Sequence, residues 1–377
     1  MPARGEVRAW AVALALAAVL AGASAPVAEA VPARFWGVVP QNNPSPEQLQ
    51  RLRRGGVDSE RIPIGWGSVQ PTRNGAYDWS GVDSRVEDIT AAGIEVLPFV
   101  SGAPTWAVRE DWVPGTHHGI KAPLNLPASG VAAAGWSSFL GAAVERYGPG
   151  GSFWAEHPAL LQRPIRVWQI WNEENFKYFV VRPNPAEYGK LVKISSTAIK
   201  RVDPGAQVVL GGLFARPGEA KLKVRPPQAY LAGDFLQRMY RATPGIKAKF
   251  DGVALHPYTA KYQYLTPEIE EFRAVLKRNH DGGKGLWITE LGWSSEPPSR
   301  GDSFAKGAAG QAQQLKGAFN LLVRNQARWR LKRVYWFSVD DYAGVCNFCG
   351  GSGLFGSGFA PKKSWFAYVK FAGGSPR

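Results

Sequence analysis

Along the chain, short runs rich in Val, Ile and Leu alternate with longer segments in which apolar residues recur every three or four positions. Runs of the first kind predict strands and those of the second predict amphipathic helices. Eight strands are expected: Phe35 to Val39, Ser59 to Ile64, Glu95 to Val100, Ile165 to Trp171, Gln207 to Leu213, Gly252 to His256, Leu286 to Thr289 and Arg333 to Val339. The helices between them carry start signals. In Ser45-Pro46-Glu47 the serine can cap, the proline suits the first turn and the glutamate favours the positive end of the dipole, while Gly55 ends the helix. Asn184-Pro185 opens a helix with Tyr188, Leu191, Val192, Ile199 and Val202 mainly on one face, closed by Asp203-Pro204-Gly205. Thr266-Pro267-Glu268 has the same form. The stripe Trp136, Phe139, Leu140, Ala143, Val144 and Tyr147 reads as core.

Strands alternating with helices imply a parallel sheet with crossover connections. Eight such units fit a closed barrel, an α/β protein of the (β/α)8 TIM-barrel class, better than an open doubly wound sheet. The open sheet would more often offer a phosphate-binding glycine loop early in the chain, and none is present. In a closed barrel the C-terminal strand ends and the loops after them converge on one face, where the chemistry sits.

The first thirty residues depart from this pattern. Arg4 and Arg8 precede an uncharged Ala- and Leu-rich run from Ala9 to Ala25, and Ala28-Glu29-Ala30 offers a small-x-small cleavage site. The run is shorter than the roughly 20 residues a membrane span needs. Residues 1–30 are therefore expected to be a secretory signal peptide and residues 31–377 a single catalytic domain, secreted, free of the membrane after cleavage and monomeric. Of the two cysteines, Cys346 and Cys349 form a Cys-x-x-Cys pair in a glycine-rich loop, which outside the cell reads as a small disulfide.

A formal net charge of +15 draws the chain to anionic surfaces. No zinc-finger, helix-turn-helix or RNA-binding signature accompanies the charge, so an acidic glycan or a charged cell envelope is the expected partner rather than nucleic acid. Arg216, Lys221, Lys223 and Arg225, in the loop after the fifth strand, overhang the active face by the barrel rule. They favour an anionic substrate, or they form a solvated charge run.

Reading off the strand ends gives Arg61 on the second, Asn172 and Glu173 after the fourth, His256 and Tyr258 after the sixth, Glu290 after the seventh and Trp336 on the eighth. Two carboxylates facing one cavity are what glycosidic cleavage needs, because one protonates the leaving oxygen while the other attacks or activates water. A separation of about 5 to 5.5 Å would permit a covalent intermediate and retention. Arg61 could instead pair with Glu60 or Asp58, His256 could be a satisfied core histidine, and Glu174 competes with Glu173 for the acid role.

Trp171-Asn172-Glu173 after strand four and Ile288-Thr289-Glu290 after strand seven resemble the signature of glycoside hydrolase clan A, families 5 and 39 above all. The resemblance implies Glu173 as acid/base, Glu290 as nucleophile and Asn172 as a ligand of the sugar 2-hydroxyl. It further implies that Arg61 keeps the nucleophile ionised, that His256 and Tyr258 orient it, and that Trp336 is a sugar platform. β-Linked glycosides, with no cofactor, are the implied substrates. Trp66, Trp106, Trp112 and Trp293, in mouth loops, are candidate sugar-stacking residues or ordinary packing. His117-His118 lacks a carboxylate or cysteine at ligand spacing, so no metal is expected. A binding protein that has lost turnover would be expected to lack one of the paired acids, whereas a transglycosylase would look the same in sequence.

Overall fold

The computed structural model describes residues 31–112, 121–122, 124–216, 224, 226–342 and 348–377. Eight parallel strands close into a barrel: β1 (Trp36–Val39), β2 (Ser59–Gly65), β3 (Glu95–Ser101), β4 (Val167–Ile170), β5 (Gln207–Phe214), β6 (Gly252–His256), β7 (Gly285–Leu291) and β8 (Leu331–Phe337). Each strand pairs with its neighbours in order, and β1 closes the ring against β8 with Trp36 opposite Val334. All eight expected strands are present, with shifted ends. The expected β8 lies two residues too late at both ends, and β4 stops at Ile170, one residue early, where Trp171 turns to a φ of 71°.

A long helix follows each strand: α1 (Pro46–Arg54), α2 (Ser80–Ala91), α3 (Gly130–Tyr147), α4 (Pro185–Val202), α5 (Ala232–Ala242), α6 (Leu265–Arg278), α7 (Gly307–Arg324) and α8 (Lys363–Ala372). Ser45 and Gln48 form a reciprocal capping box at α1, and the Asn184 side chain accepts from the amides of Ala186 and Glu187 at α4. At α6 the expected cap fails. The helix begins at Leu265, so Thr266 lies inside it.

Alternation along the strands divides the apolar residues into two sets. Trp36, Val38, Val334 and Trp336 point outward into the helix layer, whereas Val39, Leu97, Val209, Trp287, Tyr335 and Phe337 point into the lumen or toward its mouth. The same rule separates the polar residues of β2. Arg61 faces the lumen, while the buried Glu60 faces out and pairs with Arg85 of α2. Among the described residues no helix is long and apolar enough to cross a membrane. Cys349 is disulfide-bonded, and Cys346 lies outside the described residues.

Candidate active site

The C-terminal mouth of the barrel gathers residues from β2, β4, β6 and β7 into one buried polar cluster. Arg61 uses its guanidinium as a three-way brace. Nε donates to Gln169 Oε1 at 2.7 Å, one terminal nitrogen to Glu290 Oε1 at 2.7 Å and the other to Asn172 Oδ1 at 2.6 Å. The guanidinium carbon also lies 4.2 Å from the centre of the Phe99 ring. Tyr258 donates its hydroxyl proton to the other Glu290 oxygen at 2.9 Å. Glu290 therefore receives a charged and a neutral donor, one on each oxygen.

Glu173 has a different environment. Among the described residues its one side-chain contact of hydrogen-bond length is with His256 Nδ1 at 2.7 Å, and His256 Nε2 in turn lies 2.9 Å from Thr289 Oγ1. Gln169 fixes Thr289 through an Nε2 contact of 3.3 Å. The backbone at this strand end is bent out of the extended region, with φ of 71° at Trp171 and 45° at Glu173. Such values cost energy in a residue bearing a Cβ and are held only where the surroundings impose them. Here the Glu173 amide donates to the Gly212 carbonyl at 3.2 Å and its carbonyl accepts from Phe176 at 2.9 Å, which fixes the turn.

Burial raises both carboxyl pKa values, and the neighbours separate them. Glu173 is held well above the ordinary carboxylate range by burial first and then by the charge of Glu290, with Arg61 opposing. At Glu290 the upward push of burial is countered by Arg61 and by the hydrogen bonds from Tyr258 and Arg61. A proton held by the pair therefore resides on Glu173. Burial and the nearby Arg61 drive His256 well below its usual range, so the imidazole is neutral. One oxygen of each carboxylate and one nitrogen of His256 all lie within 4.8 Å of one another. These three could ligate a cation, but Arg61, already bonded to Glu290, supplies positive charge at the same place.

Six residues singled out in the sequence thus meet here: Arg61, Asn172, Glu173, His256, Tyr258 and Glu290. Glu174 does not join them. Its carboxyl points to the outer face of the sheet, where a Cβ on Gly211 would overlap it, whereas a Cβ on the next residue, Gly212, would overlap the lumen-facing His256 ring. Neither Glu174 oxygen finds a hydrogen-bond partner among the described residues.

The same alternation corrects the expectation for Trp336, and Trp66 and Trp293 take the packing alternative. Trp336 is fully buried in the helix layer, with its indole N–H on the Ser352 carbonyl and its ring against Trp293 and Phe319. Trp293 is also buried, bonded to the Thr259 carbonyl, and Trp66 packs among Trp106, Trp136 and Phe139. Trp106 is half-buried with its N–H on the Gln70 carbonyl. The side chain of Trp112, together with His117, His118, Lys221, Lys223 and Arg225, lies outside the described residues. Arg216 is committed to Glu268 and Glu271 of α6. Three contributors were not foreseen: Gln169 and Thr289, which extend the network, and Phe337, which takes the mouth-facing place expected of Trp336. Counting by twos from the lumen residue Tyr335 would have found Phe337.

No family model matches the chain. Its fold is similar to that of a family 39 glycoside hydrolase from Bacteroides cellulosilyticus at 21% identity, covering 90% of this chain and 63% of that one with a TM-score of 0.64. A glucosidase from Croceicoccus marinus matches at 15% identity over 90% of this chain and 67% of that one, with a TM-score of 0.62. A GH5_18 protein from Streptomyces cattleya, solved with Manb1-4GlcNAc, matches at 15% identity over 90% of this chain and 80% of that one, with a TM-score of 0.61. The chain spans less than two thirds of the length of the first of these. What the chain shares with these glycoside hydrolases, over nine-tenths of its own length, is the closed (β/α)8 barrel.

Proposed function

We propose that this protein is a retaining O-glycosyl hydrolase that cleaves β-glycosidic bonds by double displacement. The observation that carries the reading is the approach of Glu173 and Glu290 to within 4.8 Å, with one acid braced by donors and the other holding the proton. Inverting enzymes keep their carboxyls roughly 6.5 to 9.5 Å apart to admit a water between them, which this spacing does not. In the first step a Glu290 oxygen bonds to the anomeric carbon as the glycosidic C–O bond breaks, and the Glu173 proton passes to the leaving oxygen. In the second, ionised Glu173 takes a proton from water, the water oxygen bonds to the same carbon, and Glu290 departs as carboxylate. Arg61 and Tyr258 stabilise Glu290 as it enters and leaves.

β-Linkage is supported by the barrels this chain resembles, a β-xylosidase from Caulobacter crescentus among them. Action outside the cytoplasm is supported by the signal-like segment at residues 1–30, and an acidic glycan by the +15 charge and by Lys221, Lys223 and Arg225. Proton NMR of the first sugar released from a panel of aryl β-glycosides tests the mechanism. A β-anomer is expected, and an α-anomer as first product would overturn it. Reversing Lys221, Lys223 and Arg225 to glutamate should weaken action on an acidic glycan and spare a small neutral aryl glycoside, and equal effects on both would discard the anionic substrate.

A further inference from the structure

Tyr258 stands in the middle of an aromatic wall for which the hydrolytic steps have no use. Its ring centroid lies 5.2 Å from Phe348, 5.6 Å from Phe214, 6.1 Å from Phe304 and 6.2 Å from Phe337. Phe304 stacks on Phe348 at 4.9 Å, and Phe214 stacks on Phe176 at 5.8 Å. The rings come from strand ends and loops after β4, β5, β6, β7 and β8, so they form an arc along the mouth. Phe337 and Tyr258 are buried, but Phe176, Phe214, Phe304 and Phe348 all retain solvent exposure.

A pyranose laid on an aromatic ring still needs partners for its hydroxyls. This wall offers none, because phenylalanine has no hydrogen-bonding group and the one hydroxyl among these rings, that of Tyr258, is spent on Glu290. Its gain on binding comes from burying apolar surface. The wall's position supplies the second half of the argument. Glu173 protonates the leaving oxygen, so the leaving group departs on its side. Phe176 is tied to Glu173 by a tight turn, and Phe214 is the register partner of His256, which touches Glu173.

We propose that the arc of Phe176, Phe214, Phe304 and Phe348 binds an apolar aglycone, so that the substrate is a glycoside of a hydrophobic alcohol. The inference deepens the hydrolase reading and rests on it for the side on which the leaving group departs.

Calorimetric binding of methyl, butyl and octyl β-D-glucopyranoside to the Glu290→Gln protein, below the micellar concentration, tests it without turnover. Each buried methylene tightens binding by up to about fourfold, so the octyl glycoside should bind at least roughly tenfold tighter than the methyl one. In the same background, Phe304→Asn/Phe348→Asn should abolish most of that gain, and Phe176→Asn should reduce it if the double variant melts early. Equal affinity across the series, or an undiminished gain in both Asn variants, would overturn the proposal. An octyl gain lost in the Asn variants, together with an unaltered protein that turns over no glycoside, would keep the wall's ligand and sink the hydrolase.

Discussion

The ends of β4 and β7 each present a glutamate to the same cavity, yet the two sites differ in almost every respect. At β7 the backbone is still strand, with a one-residue register shift against β8 between Ile288 and Leu291, and Glu290 receives Arg61 on one oxygen and Tyr258 on the other. At β4 the strand has ended, the backbone passes twice through positive φ, and Glu173 meets a neutral imidazole. One residue type therefore acquires two ionisation states from its surroundings, the division of labour that acid and nucleophile require. The donors on Glu290 come from β2 and β6, so this division is made by convergence of strands rather than by local sequence.

Removing the carboxylate at β7 should have the largest effect. Glu290→Gln is expected to lower kcat by roughly 10⁴-fold or more on every substrate, because no covalent intermediate can form. Steady-state assays with two leaving groups check this, and near-normal turnover would end the mechanism. Glu173→Gln should cost about 10² to 10⁴-fold on an alkyl glycoside, much less on a nitrophenyl glycoside whose leaving group needs little protonation, and should remove the alkaline limb of the pH profile. A uniform loss on both substrates would instead mean that Glu173 is not the acid.

The contrast can be blurred by weakening the brace at β7. Tyr258→Phe deletes one hydrogen bond to a charged carboxylate, and about 1.5 to 3 kcal/mol corresponds to a loss of kcat/KM of roughly 10- to 100-fold. That bond holds the Glu290 pKa down, so the acid limb of the profile should move to higher pH in the variant. An unmoved limb would assign Tyr258 to substrate binding alone. The smallest effect is expected at Glu174, whose pKa burial raises from 4.5 to about 8. A carboxyl raised in the folded state contributes stability that is complete below its unfolded pKa and is lost as pH rises toward 8. Glu174→Gln has no charge to bury, so its melting temperature should fall by fewer degrees between pH 5 and pH 8 than that of the unaltered protein, with kcat at pH 6 little changed.

Much of this was legible in the chain. The barrel could be read because strands and helices advertise themselves locally, through β-branched runs, helical stripes and caps such as Ser45 and Asn184. The two glutamates could be read because the barrel rule places strand ends on one face. Trp336 misled because a strand's inward and outward residues differ by one position, and Trp336 and Phe337 are equally aromatic. Nor does an indole's preference for sugars reveal itself before one knows whether helices cover it. Glu174 was a rival to Glu173 for the same reason.

The sequence by itself determined the order of elements, the closed barrel and the two carboxylates, since these follow from periodicity and from chemistry confined to a few neighbouring residues. Only the tertiary structure decided which face each side chain takes, that Arg61 braces Glu290 rather than Glu60, and that Phe337 rather than Trp336 faces the mouth. Facing is a property of the register between strands far apart in the chain, and ionisation is a property of what that register brings within a few ångströms.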